Sequence, residues 1–139
     1  MATLTCILVS HEETILNRFE NLLQFVDDIS LISKENVLKT AITNIVRLNP
    51  DLIFIDTEMP GINCFDFIRE LNLSKCNSTI IIVSNLNQNA IKAIKIGAFD
   101  FLLKPIDLTE LKETINRFKQ LVLAQNRSQS NTKENRQSL

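Results

Sequence analysis

Short runs of β-branched and other apolar residues alternate along the chain with longer stretches in which apolar positions recur every three or four residues. The runs Cys6 to Val9, Ile29 to Ile32, Leu52 to Ile55, Ile80 to Val83 and Phe101 to Leu103 predict five strands. Three of them are apolar almost throughout. That is the composition of strands covered by helices on both faces, so they predict the centre of the sheet. Ile15, Phe19, Leu22, Leu23 and Val26 share one helical stripe, and Val37, Leu38, Ala41, Ile42 and Ile45 share another. Weaker helical patterns cover Phe65 to Leu71 and Asn89 to Ile96, and a clear one carries Leu108, Leu111, Ile115, Phe118 and Val122. Asp107 is placed to cap this last helix, and Glu110, three residues on, to reach back to the cap's amide.

Strands that alternate with helices imply parallel pairing through crossover helices. Five such units predict an α/β fold, a flavodoxin-like doubly wound five-stranded parallel sheet in the order 2-1-3-4-5 with five helices. At 139 residues the chain suffices for one core, placed at 1–124. Residues 125–139 hold no apolar side chain before Leu139 and are expected to form a polar linker or tail. Fifteen basic residues against 16 acidic ones leave no positive field to hold nucleic acid, so DNA contact is expected only through an output domain absent from this chain. No apolar run approaches a membrane span and no signal peptide precedes Ser10, which predicts a cytoplasmic protein. Cys6, Cys64 and Cys76 lack metal-ligand or paired spacing and read as reduced thiols.

In a sheet of this order, ligands sit beyond the carboxyl ends of the strands. Polar residues gather there: His11, Glu12 and Glu13 after strand one, Asp56 and Glu58 after strand three, Ser84 and Asn85 after strand four, and Lys104 with Pro105 after strand five. Carboxylates beside one lysine and one hydroxyl suit a hard divalent cation such as Mg²⁺ together with a phosphoryl group.

The stretch Pro50-Asp-Leu-Ile-Phe-Ile-Asp56-Thr-Glu-Met-Pro-Gly61 resembles the phosphoacceptor segment of response-regulator receiver domains. Gly97-Ala-Phe-Asp-Phe101-Leu-Leu-Lys104-Pro105 is similar to their fifth-strand signature, most of all in receivers that precede a LytR/AlgR-type DNA-binding domain. The resemblance spans about residues 4 to 123. It implies that Asp56 accepts a phosphoryl group from a histidine kinase or phosphotransfer protein, while Lys104 and Ser84 contact the phosphoryl oxygens. It also implies that Phe101 turns as Ser84 moves, and that Asp56, the Glu12 carboxylate and the Glu58 backbone carbonyl hold Mg²⁺. The surface that responds would be the fourth helix, fifth strand and last helix, through which a homodimer is expected.

Receivers usually place two acids after strand one, and His11 and Glu12 stand for that pair here; His11 enters only as a conceivable metal ligand. Asn85 replaces a usual alanine or glycine, and Cys64 stands where glycine is frequent. Each residue also has a plainer reading: Asp56 as a turn residue, Lys104 as a solvated loop lysine, Ser84 as a strand-end cap, Phe101 as ordinary core. Two competing functions follow, a phosphorylation-independent pseudo-receiver acting through protein contacts and a small flavodoxin-like enzyme. The enzyme predicts a glycine-rich phosphate loop after strand one, where Ser10-His-Glu-Glu-Thr14 offers acids instead. The leading expectation is a signalling switch that assists only its own phosphoryl transfer and hydrolysis.

Overall fold

The computed structural model describes residues 3–61 and 63–137, with side chains described as far as residue 128. Five strands, β1 (Leu4–Val9), β2 (Ile29–Glu35), β3 (Leu52–Asp56), β4 (Thr79–Ser84) and β5 (Asp100–Leu103), alternate with five helices. The helices are α1 (Glu13–Leu23), α2 (Leu38–Leu48), α3 (Cys64–Leu73), α4 (Asn89–Lys95) and α5 (Leu108–Gln137). All strand pairs are parallel, in the order β2-β1-β3-β4-β5, as expected.

The chain divides into two units, Met1–Asp107 and Leu108–Leu139. The first holds the sheet and α1 to α4. Its central strand β3 is buried at every position, whereas edge strand β2 alternates between half-buried and exposed residues as far as Lys34 and ends on buried Glu35. Successive strand side chains point to opposite faces. Accordingly Ile7, Val9, Ile53, Ile55, Ile80 and Ile82 form one cluster with Leu38, Ala41 and Ile45 of α2 and Phe65, Phe67, Ile68 and Leu71 of α3. On the opposite face Phe54 meets Phe19 of α1, with ring centroids 5.1 Å apart. Fully burying one of these aliphatic or aromatic side chains stabilises by about 1.5–3 kcal/mol.

Loop chemistry sets the helix ends. Asn49 closes α2 in the left-handed conformation, φ 47°, with Pro50 behind it preventing further helix. The Asn63 side chain caps α3 by accepting from the Phe65 amide at 2.8 Å. Of the stripe expected for α1, Phe19 and Leu23 are buried, as is Val26 just beyond the helix, while Ile15 and Leu22 are half-buried and Leu16 is buried in addition. Val37 is exposed and precedes α2 as its cap position.

The second unit contains α5, which starts at Leu108 after Asp107 as the capping pattern expects. Its backbone stays helical through Gln137, so most of the segment expected as a linker or tail is a polar helix; residues 138 and 139 lie outside the described residues.

Candidate functional site

The carboxyl ends of β1, β3, β4 and β5 bring four chain segments to one edge. Asp56, the last residue of β3, is 1% exposed, and its carboxylate accepts three hydrogen bonds. Lys104 Nζ donates to Oδ1 at 2.8 Å, the Glu58 amide to Oδ1 at 2.9 Å, and the Ser10 hydroxyl to Oδ2 at 2.7 Å. Lys104 follows β5 and is brought alongside by the parallel pairing of β4 with β5, which its own amide extends by donating to the Ser84 carbonyl at 2.8 Å.

One ammonium serves three carboxylates. Besides Asp56, Lys104 Nζ lies 3.1 Å from Glu58 Oε2 and 3.8 Å from Glu12 Oε1. Glu12 occupies the cap position of α1 without a side-chain capping bond, which leaves its carboxylate free to face the lysine. Glu58 folds over the strand ends. Its Oε1 accepts from the Ser84 hydroxyl at 3.2 Å and from the Asn85 amide at 3.3 Å. Ser84, fully buried, also accepts from the Leu86 amide at 3.0 Å and from the Asn89 side chain at 3.1 Å.

Burial pushes the Asp56 carboxyl up, and the nearby Glu58 carboxylate adds to this, while Lys104 and Ser10 oppose it. Partial burial also acts upward on Glu58, but hydrogen bonds from its neighbours, Lys104 among them, outweigh it and hold that carboxyl at about 2. Burial disfavours the charge on Lys104, yet Asp56 and Glu58 overcome this and hold its pKa above the ordinary lysine value. The lysine is a fixed cation here.

Asp56, Lys104, Glu12 and Glu58 meet as the sequence suggested, but Ser84 reaches Glu58 rather than Asp56. Phe101 is half-buried against the core cluster. His11 does not join the site. It is exposed and lines a separate cleft with Glu13, Leu16, Asn17, Lys34 and Asn36. One participant was not expected, the Ser10 hydroxyl, and the Glu58 carboxylate reaches Lys104 and Ser84, whereas the resemblance implied a role for its backbone carbonyl. Glu58 carried a signal: it is an acid two residues past Asp56, at the same strand end.

Among the described residues, no three His, Cys, Asp or Glu side chains are placed to hold a metal ion. Asp56 and Glu12 are nevertheless hard oxygen donors beside each other's lysine, the donor type Mg²⁺ accepts, whereas His11 contributes nothing there. Also among the described residues, no helix is long and apolar enough to cross a membrane.

Comparison with known proteins agrees with this layout. The sensory transduction protein LytT of Bacillus subtilis is 27% identical over 118 residues, 85% of this chain and 49% of that protein. The transcriptional regulatory protein BtsR of Salmonella typhimurium is 32% identical over 114 residues, 82% of this chain and 47% of the relative. The chain spans about half the length of the curated relatives it matches. In fold, the receiver domain of the Francisella response regulator 1452 matches with a TM-score of 0.76 at 24% identity, over 86% of this chain and 99% of that one. The response regulatory domain of protein mrkE from Klebsiella pneumoniae gives 0.76 at 15% identity, over 84% and 96%. The family description "Response regulator receiver domain" fits residues 6–116, a span running from β1 into α5 and enclosing every group at the Lys104 cluster. By that match this chain belongs to the response regulator receiver domains of two-component signalling.

Proposed function

We propose that this receiver takes a phosphoryl group on Asp56 from a histidine kinase or phosphotransfer protein and passes the event to an output or dimer surface. The observation that carries this reading is the 2.8 Å approach of Lys104 to the Asp56 carboxylate at the end of the central strand. A carboxylate oxygen of Asp56 attacks phosphorus. The new O–P bond forms as the bond from phosphorus to the donor's leaving group breaks, and the leaving group departs with the electron pair. The charge on the transferred group is the main obstacle, so positioning and electrostatics dominate. Lys104 balances that charge, and the Ser84 hydroxyl is the second donor at the strand ends. As Ser84 is drawn toward the phosphoryl oxygens, space opens for half-buried Phe101 to turn.

Receiver domains generally bind Mg²⁺ at their acidic pocket. In this chain Asp56, Glu12 and the Glu58 backbone carbonyl are the groups that would hold it, and the ion would supply further neutralisation of negative charge. The domain acts on no separate substrate; it assists only its own phosphoryl transfer and hydrolysis.

Residues 125–139 link the receiver to an output domain of LytR/AlgR type, through which alone DNA would be contacted; the similarity to the transcriptional regulatory protein BtsR supports this. The exposed Ile91 and Ile94 of α4 and Leu103 of β5 support homodimerisation through α4, β5 and α5. The setting is cytoplasmic.

The test is incubation with Mg²⁺ and acetyl phosphate, read by intact mass. A phosphoryl adduct that vanishes in Asp56→Asn is expected. No adduct over a wide Mg²⁺ range would overturn the phosphoacceptor reading and leave a receiver that works through protein contacts.

A further inference from the structure

Beside Asp56, the donors at the strand ends are already engaged by an anion. One oxygen of Glu58 lies 3.1 Å from the Lys104 ammonium, and the other accepts from the Ser84 hydroxyl at 3.2 Å and the Asn85 amide at 3.3 Å. An ammonium, a hydroxyl and a main-chain amide contributed by two strand ends are the donor types that bind phosphoryl oxygens. Glu58 collects all three with one side chain. Its contacts are longer than the 2.7 to 2.9 Å bonds that hold Asp56, and its side chain is 26% exposed against 1% for Asp56. Asp56 is fixed, whereas Glu58 has an open path to solvent.

We propose that the Glu58 carboxylate is a built-in occupant of the phosphoryl-binding donors, and that a phosphoryl group arriving on Asp56 must displace it. This rests on the phosphoacceptor reading for its biological meaning, but the occupancy itself does not. Two anions cannot share Lys104, Ser84 and Asn85 at contact distance without strong repulsion, so Glu58 swings outward when the phosphoryl group enters. The swing is favourable only because the phosphoryl group brings more charge and more acceptor oxygens than a carboxylate. Glu58 thereby sets a threshold: weak or misplaced donors fail to dislodge it, and the unphosphorylated domain keeps Ser84 and Lys104 ordered.

Two measurements test the occupancy. In the first, adduct formation from acetyl phosphate at fixed Mg²⁺ is timed by intact mass for the wild-type chain, Glu58→Gln and Glu58→Ala. Removing one unit charge at contact distance predicts an increase of about tenfold or more for Glu58→Ala, with the isosteric Glu58→Gln between. A rate that is unchanged or slower in both variants means that Glu58 merely aligns the lysine, and overturns the proposal. The second measurement uses Asp56→Asn chains, which lack the acceptor. Inorganic phosphate is titrated while the Asn85 amide is followed by NMR, with and without Glu58→Gln. Phosphate should move that resonance at a concentration about tenfold lower when Glu58→Gln is present. An equal response, or none in either chain, overturns the proposal. If no chain forms an adduct yet phosphate discriminates between the two, the phosphoacceptor reading fails and the occupancy stands.

Discussion

Two polar clusters lie at the carboxyl edge of the sheet, one toward β3 to β5 and one toward β2. The first gathers Asp56, Glu58, Glu12 and Lys104, with Asp56 at 1% exposure and the lysine side chain at 8%. The second gathers His11, Glu13, Asn17, Lys34 and Asn36 around a cleft of about 270 Å³. Each contains one lysine with carboxylate from neighbouring segments, three carboxylates in the first and Glu13 alone in the second. What separates them is solvent. In the first, Asp56 and Lys104 are shielded from water and depend on fixed partners, with Glu58 and Glu12 nearer solvent; in the second, the polar side chains are exposed and water can take the place of a missing partner. Burial of a paired charge, as at Asp56 and Lys104, is what marks a candidate reactive site.

Lys104 is the group on which the buried cluster depends most. Lys104→Met leaves Asp56 and Glu58 without their shared cation and should lower the unfolding free energy by about 3 kcal/mol at neutral pH, read by urea denaturation. A loss within the range of ordinary surface changes would erase the distinction between the clusters.

Asp56→Asn should act in the opposite direction. Because burial raises the Asp56 pKa from 3.8, the folded chain binds that proton more tightly than the unfolded chain, and stability contributed by this group falls as pH rises through the interval. Above it the ionised side chain is a standing cost. The neutral isostere should therefore stabilise by about 1 kcal/mol at pH 7, seen as a higher thermal midpoint.

Glu58 gives the sharper pH signature. Its carboxyl is held at about 2 against an ordinary 4.5, so its contribution is fully present above 4.5 and is lost as pH falls toward 2. The stability difference between the wild-type chain and Glu58→Gln should shrink as pH falls across that window. A difference independent of pH would mean that Glu58 is not ionically held.

The smallest effect belongs to the solvated cluster. His11→Ala should change the unfolding free energy by less than about 0.5 kcal/mol. It should also leave acetyl phosphate labelling of Asp56 unaltered, since His11 points into a different cleft.

These contrasts also show which parts of the molecule the residue order reveals. The β3 run Leu52 to Ile55 is legible because a strand buried on both faces must be apolar at every position, and β4 is legible for the same reason. Edge strand β2 runs on to Glu35, past the expected end at Ile32, because its pairing with β1 continues through polar residues that periodicity does not mark. The Asp56 and Lys104 juxtaposition is legible from parallel topology, which places all strand ends together. Ser10, His11 and Glu12 are harder. Three consecutive polar residues leave β1, and only the turn's backbone angles decide that Ser10 faces Asp56, Glu12 faces Lys104 and His11 turns away. No hydrophobic pattern encodes those angles.

The Ser84 hydroxyl carries a last implication. A hydroxyl has one hydrogen to give and two lone pairs, and the Leu86 amide and Asn89 side chain take up both lone pairs. Its rotor is therefore pinned, and the hydrogen can only be handed outward, over the strand end toward Glu58. The entrance of α4 thus works as a compass for a single proton. Replacement by alanine would cost more than one contact, because two donors rooted in that entrance would lose the oxygen that orients them both.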